Sequence, residues 1–285
     1  MPNLRTLLGR KTKIKTLAPL LALTLCGCEY FEKTARFKIR EYAHPQWGNV
    51  IHVANTRIEF IVAPERGGRL MHFSRLGESN LLWTAADING GFGDVYGWRN
   101  WGGEKTWLWP QEKWPGGNWP PPHDVEQAPW RVDKIETSKW EGNYWVEINL
   151  SAQTTEGKIE RLFNTSIIGT HLSMCSALDT TNSAFSVWSI TQIPAPETIG
   201  VERVEPRRLL LQMPGAENAL ALRGDGTVDV AATPGGTKGM MDATAFRVPT
   251  AQGTLVVRQE EDPGLPYDDT YRAQVYISTV RDGDA

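Results

Sequence analysis

Cysteine, histidine and long apolar runs are all scarce in this chain. It has three cysteines in 285 residues, and two of them, Cys26 and Cys28, sit near the start. Cys175 alone remains in the body of the sequence, and one thiol cannot close an intramolecular disulfide. Its apolar setting in 172–178 predicts a small buried hydrophobe. The five histidines end at His171, and no zinc or redox spacing occurs, so neither a metal site nor another cofactor is expected. The apolar run 17–25 contains Pro19 and is less than half the roughly 20 residues that a membrane-spanning helix takes. Beyond it no 3.6-residue apolar period persists for three turns, which argues against a helical fold. Positive charge is not in excess either. The balance is −3, and it moves to −8 without residues 1–27, which carry five positive charges and no negative ones. A chain that acidic has little electrostatic reason to bind nucleic acid.

What is present starts at the N-terminus. Arg5, Arg10, Lys11, Lys13 and Lys15 precede the apolar run, the charged-then-apolar order of a secretory signal. Leu25-Cys26-Gly27-Cys28 resembles the lipobox of bacterial lipoproteins. That resemblance implies cleavage before Cys28, lipidation of Cys28 and a membrane anchor, with 1–27 as signal peptide. A single acyl chain anchors only marginally, so the several chains of a lipoprotein would be needed. Glu29 in the next position implies sorting to the outer membrane, hence a location in the bacterial cell envelope, periplasmic or surface-facing. Residues 28–45, charged and ending at His44-Pro45, read as a tether to a fold over 46–285.

From Val50 the pattern turns to period two. Strands are expected at 50–54, 58–62, 69–74, 80–83, 130–136, 144–150, 158–168, 171–179 and 185–193, then at 208–213, 227–230, 246–248, 254–259 and 272–279. Gly169-Thr170 reads as a tight two-residue hairpin turn. Many short strands with frequent turn residues predict an all-β chain, a large antiparallel β-sandwich.

One stretch breaks the pattern. Between Trp98 and Trp130 lie seven of the twelve tryptophans, punctuated by Gly and Pro. Prolines and glycines exclude a helix there, and alternation for a simple strand is missing. Residues 84–129 therefore read as a long Trp-rich insertion. Each indole offers roughly 150–250 Å² of mostly apolar surface, so the segment must fold against something. It is expected to line a sugar-sized pocket, with about half of the seven rings in the core and at least two partly accessible.

Several motifs together resemble the galactose mutarotase-like superfamily, in particular an uncharacterised bacterial envelope branch. They are Asn55-x-Arg-Ile-Glu-Phe-x-Val-x-Pro-x-x-Gly-Gly-Arg69, Asn80-Leu-Leu-Trp83, Asn100-Trp-Gly-Gly-Glu-Lys-Thr-Trp107 and Asp179-Thr-Thr-Asn182. The resemblance spans roughly 47–278. It implies a twisted β-supersandwich that binds carbohydrate on its concave face. It also implies a further strand pair beyond Thr279, so the sandwich is expected either to lack its last strands or to close differently.

Aldose epimerisation needs a base for the anomeric hydroxyl and an acid for the ring oxygen. The resemblance assigns these to a late glutamate and to a histidine after the central Asn. Here the stretch after Asn182 has no histidine, with Thr191 and Gln192 in that region, and the late acidic run contains Glu260. Catalytic candidates are thus Glu104, Lys105 and Glu260. Glu104 and Lys105 could form an acid/base pair or a structural salt bridge, and if the segment is extended only one can face a given pocket. Candidate carbohydrate-binding residues are Arg69, Arg99, Asn100, Trp101, Trp107, Trp109, Gln111, Trp114, His123 and Gln192. Arg69 could instead pair with Glu59 across the hairpin. The leading expectation is a lipid-anchored carbohydrate-binding protein. An aldose 1-epimerase-like enzyme and a structural envelope module are the alternatives.

Overall fold

A computed structural model describes residues 37–86, 98–115, 117, 119–181, 184–194, 197–202, 209–211, 220–223, 227–230, 237–241, 245–258 and 273–277. Cys28, Asn182 and Glu260 lie outside the described residues. Every ladder is antiparallel, as the alternation predicts.

The first sheet runs in the order β1-β2-β3-β4-β5-β10. Its strands are β1 Lys38–His44, β2 Gly48–Ala54, β3 Ile58–Ala63, β4 Arg69–Arg75, β5 Glu104–Trp109 and β10 Ser186–Thr191. A second sheet pairs β6 Arg131–Trp140, β7 Asn143–Thr154, β8 Gly157–Ser166 and β9 Ser173–Asp179 in chain order. A third has the order β13-β14-β11-β16-β17, with β11 Thr198–Glu202, β13 Leu220–Leu222, β14 Thr227–Val230, β16 Ala245–Thr250 and β17 Gly253–Arg258. Strands β12 Leu209–Leu211, β15 Thr237–Met241 and β18 Ala273–Ile277 make a small fourth sheet. The described helical pieces are the 3₁₀ turns Pro64–Arg66 and Gln111–Lys113 and one short helix, α1, His123–Glu126.

The first two sheets form the sandwich. Val53, Phe60, Val62, Leu70 and Leu108 from one meet Val146, Ile148, Leu150, Ile159 and Phe163 from the other in a continuous core. These residues sit at alternate positions because successive side chains on a strand point to opposite faces. The other face of the first sheet buries a second, smaller cluster of Trp47, Val50, Ile61, Ala63, Met71 and Trp101. Both faces of its centre are therefore covered, which explains why β3 reads as nearly continuous apolar sequence.

Asn55 ties the two sheets together at one end. Its amide donates to the carbonyls of Ser166 (2.8 Å) and Gly169 (2.9 Å), and its oxygen accepts from Arg57 and Ile58 N–H, both at 2.7 Å.

Four expectations are corrected. Lys38–His44 is not tether but the edge strand β1, paired along its whole length with β2, and the compact unit begins at Phe37. Glu104–Trp109, inside the Trp-rich insertion, is a strand between β4 and β10. Its alternation was hidden because the two faces of β5 bury different chemistries, both of them mixed polar and apolar. Residues 80–83 form no strand: the Asn80 side chain takes over the ladder's role, accepting from Phe73 and Leu82 N–H at 3.0 Å and donating to Met71 O at 2.9 Å. The β8–β9 link is longer than two residues, since Ile167 leaves the ladder to bond Tyr144 O through its N–H and to accept from Thr56 through its carbonyl.

Candidate functional site

The Trp-Gly-Gly-Glu-Lys-Thr-Trp motif marks where the chain enters β5. Gly102 and Gly103 have φ of +81° and +75°, and a Cβ on either would come within 2.3 Å of a backbone oxygen, Trp83 O and Leu70 O respectively. Only glycine fits two such successive left-handed positions at van der Waals contact with neighbouring backbone. Asn100 steadies the turn by accepting from Gly102 N–H at 3.2 Å. The ladder then closes around Gly103, whose N–H donates to Trp83 O (2.7 Å) while its carbonyl accepts from Gln192 N–H (2.9 Å).

Beyond the turn, β5 sorts its side chains by parity. Glu104, Thr106 and Leu108 point into the sandwich. Glu104, with no exposed surface, is ion-paired there with Arg161 of β8, which also donates to Gly68 O at 2.8 Å. Thr106 shares a 2.8 Å hydroxyl hydrogen bond with Ser176 of β9. Lys105, Trp107 and Trp109 point the opposite way, toward α1 and the other indoles.

On that side one carboxylate organises the site. Glu126, the last residue of α1, is 1% exposed and takes four donors. Arg69, Lys105 Nζ (3.2 Å) and Trp98 Nε1 (3.0 Å) donate to Oε1, and Trp107 Nε1 donates to Oε2. Burial alone would raise the Glu126 pKa, but Arg69, Lys105 and the two indole N–H groups together hold it below the ordinary value. Burial likewise pushes the Lys105 ammonium down to about 8, against the pull of Glu126. Lys105 Nζ lies 4.4 Å from the Trp107 ring centroid and 5.3 Å from that of Trp98, a cation–π contact on two rings.

Six indoles join edge to face above this cluster. Trp107 contacts Trp114 (5.3 Å), Trp188 (5.9 Å) and Trp119 (6.1 Å), Trp98 contacts Trp119 (4.6 Å), and Trp109 contacts Trp188 (5.5 Å). The Trp107–Trp188 contact follows from register, since the two residues are directly opposite on β5 and β10. Trp107 and Trp114 are buried, whereas Trp98, Trp109, Trp119 and Trp188 are half-buried.

The candidates named from sequence thus divide. Glu104 and Lys105 are neither an acid/base pair nor a salt bridge with each other, because alternation sends them to opposite faces and different partners. Arg69 is wholly buried and pairs with Glu126, not with Glu59, which bonds His52 at 3.0 Å. Trp101 belongs to the second core with the Arg66 guanidinium 4.5 Å from its ring, and Trp114 is core with its N–H on Leu108 O, so neither ring is open to a saccharide. Asn100 is committed to the turn. Trp109 and Gln111 are half-buried and Arg99 and His123 exposed, while the Gln192 carboxamide oxygen is buried without a donor. Cys175 is exposed rather than buried, because on edge strand β9 it points away from the sandwich core.

Sequence reasoning missed Glu126, Trp98, Trp119 and Trp188. Trp188 was legible only through the β5–β10 register, and Glu126 carried no signal beyond lying in a short polar stretch after three prolines. Among the described residues no group of His, Cys, Asp and Glu is placed to hold a metal ion. An open hollow of about 580 Å³ borders Arg40, Glu41, Tyr42 and His52 on β1 and β2. It lies at the opposite edge of the first sheet from the indoles.

No protein-family model matches the chain, and no curated protein sequence matches it. Among solved structures, the chain is similar to a galactose mutarotase-like protein from Clostridium acetobutylicum. The identity is 12% and the TM-score 0.45, over 76% of this chain and 75% of that one.

Proposed function

We propose that this chain is a lipid-anchored carbohydrate-binding protein of the bacterial cell envelope, periplasmic or surface-facing at the outer membrane. The observation that carries the binding reading is the chain of four half-buried indoles, with Trp119 and Trp188 against Trp107, Trp98 against Trp119 and Trp109 against Trp188, beside a hydrogen-bonded ion cluster. Indoles clamped edge to face leave flat apolar surface at a fixed angle, which suits the C–H faces of a pyranose. Trp109 and Trp188, at 79° to each other, make a corner that one sugar ring could occupy. The motif resemblance to carbohydrate-binding β-supersandwiches points the same way, and the anchor rests on the lipobox-like Leu25-Cys26-Gly27-Cys28.

Binding is favoured over turnover by the placement of the buried carboxylates. Glu104 and Glu126 lie on opposite faces of the sheet and each is held by an arginine, so they do not form an acid and base about one anomeric centre. Tryptophan fluorescence titrated with mono- and oligosaccharides tests the proposal. Saturable quenching is expected, weakened about five- to tenfold in W109A or W188A, the loss of one stacking ring being worth on the order of 1 kcal/mol. Fluorescence that ignores the whole panel would leave a structural envelope module. The anchor is tested separately, by incorporation of labelled palmitate that Cys28→Ser abolishes.

A further inference from the structure

Among the described residues, the ion cluster beneath the indoles is not electrically balanced. Arg69 and Lys105 bring two positive charges and Glu126 one negative, all three nearly devoid of solvent contact. The only charged groups acting on Lys105 are Glu126 and Arg69, and those acting on Glu126 are Arg69 and Lys105, among the described residues. The other buried carboxylate among the described residues, Glu104 of β5, faces the far side and is neutralised by Arg161.

Hydrogen bonding tells the same story. Glu126 takes four donors, three on Oε1 and one on Oε2, while among the described residues Arg69 Nε has no acceptor and Lys105 Nζ has one acceptor for three N–H bonds. The remaining valence of Lys105 is turned to the Trp98 and Trp107 rings. Three residues before Arg69, Arg66 stacks on Trp101 and, among the described residues, donates to the carbonyls of Glu65 and Gln46. An uncompensated buried cation is costly, and a low-dielectric wall of indoles transmits its field rather than screening it.

We propose that the saccharide taken at the indole cluster is anionic, carrying a carboxylate or sulfate drawn by the unneutralised positive charge of Arg69 and Lys105 beneath it. This inference rests on the carbohydrate reading given above. Trp98 is both a roof of the Lys105 site and a half-buried ring. A group stacked over its centre at van der Waals distance lies up to roughly 9 Å from Nζ. At that range, through a partly buried path, one net charge changes affinity on the order of tenfold.

The test is fluorescence titration of the full chain with three matched probes: galactose, galacturonic acid and galactose 6-sulfate. Either or both anions should bind about tenfold more tightly than galactose, and which one does so identifies the acid. In K105M the remaining Arg69–Glu126 pair is neutral, and the preference should fall to near unity. Equal affinity for all three probes, or a preference unchanged in a K105M protein with wild-type circular dichroism, overturns the inference and leaves the carbohydrate reading standing. Should K105M not fold, the comparison of the three probes on the wild-type chain decides alone. No response to these or to neutral oligosaccharides removes both.

Discussion

Glu126 and Arg69, 57 residues apart in sequence, hold each other in an ion pair with no exposed side-chain surface on either partner. The pair joins the short helix α1 to the start of β4, and through Lys105 and two indole N–H groups it fixes the Trp-rich segment against the sheet.

Replacing the anion should therefore be severe. Glu126→Gln leaves Arg69 and Lys105 buried without a counter-charge, and breaking one member of a buried pair costs about 3–5 kcal/mol. Urea unfolding followed by circular dichroism should show that loss. The double change E126L/R69M should cost less than E126Q alone, because it removes one of the two stranded charges and leaves only Lys105 without a partner. A wild-type midpoint for E126Q would mean that the cluster does not form in solution.

The pH dependence has opposite origins on the two sides of neutrality. Lys105 releases its proton at about 8 when folded and at 10.5 when unfolded, so between those values the unfolded chain binds more protons and stability rises with pH. K105M should lack that rise. Glu126 is held below 4.5, so its share of stability is present above 4.5 and is lost as pH falls below it. E126Q should lack that loss. Thermal midpoints of the three proteins across the two windows check both signs.

Gly103 can be separated from ordinary turn glycines. In Gly103→Ala the new methyl meets Leu70 O at 2.3 Å with φ at +75°, whereas at Gly77, φ +81°, nothing lies within 4 Å. G77A should cost about 1–2 kcal/mol from backbone conformation alone. G103A should cost appreciably more, about 3 kcal/mol or above, because the neighbouring strand must also move. Equal losses in denaturant titration would show that the close approach is not maintained.

Asn55 is expected to act as a clamp between the sheets. N55A removes four hydrogen bonds and leaves buried backbone groups unpaired, at a cost of about 2–4 kcal/mol. Hydrogen exchange should accelerate at the Arg57 and Ile58 amides before any global change, whereas unchanged protection there would deny the clamp.

Much of the fold is written in local pattern. Strands β2, β3, β7 and β16 lie close to their alternating apolar stretches, and β14 matches its expected span, because a strand with one buried face must repeat every two residues. β5 escaped detection for a physical reason. One of its faces buries a Glu–Arg pair and a leucine, the other a Lys among indoles, so polar and apolar residues occur on both faces and no period emerges. β1 escaped because it is exposed along nearly its whole length and earns its place by edge pairing, which leaves no apolar signature.

The Trp-rich segment shows the same division. Composition alone established that so much indole surface, broken by Gly and Pro, must pack against something, and that adjacent Glu104 and Lys105 could not share a pocket if extended. Which rings are buried and which half-buried was decided by the β5–β10 register and by α1, elements apart in sequence. The central charge, Glu126, is a matter of tertiary structure only. A carboxylate acquires its role from the donors that surround it, and those four donors come from β4, β5 and the stretch before β5, brought together by packing that no local period encodes.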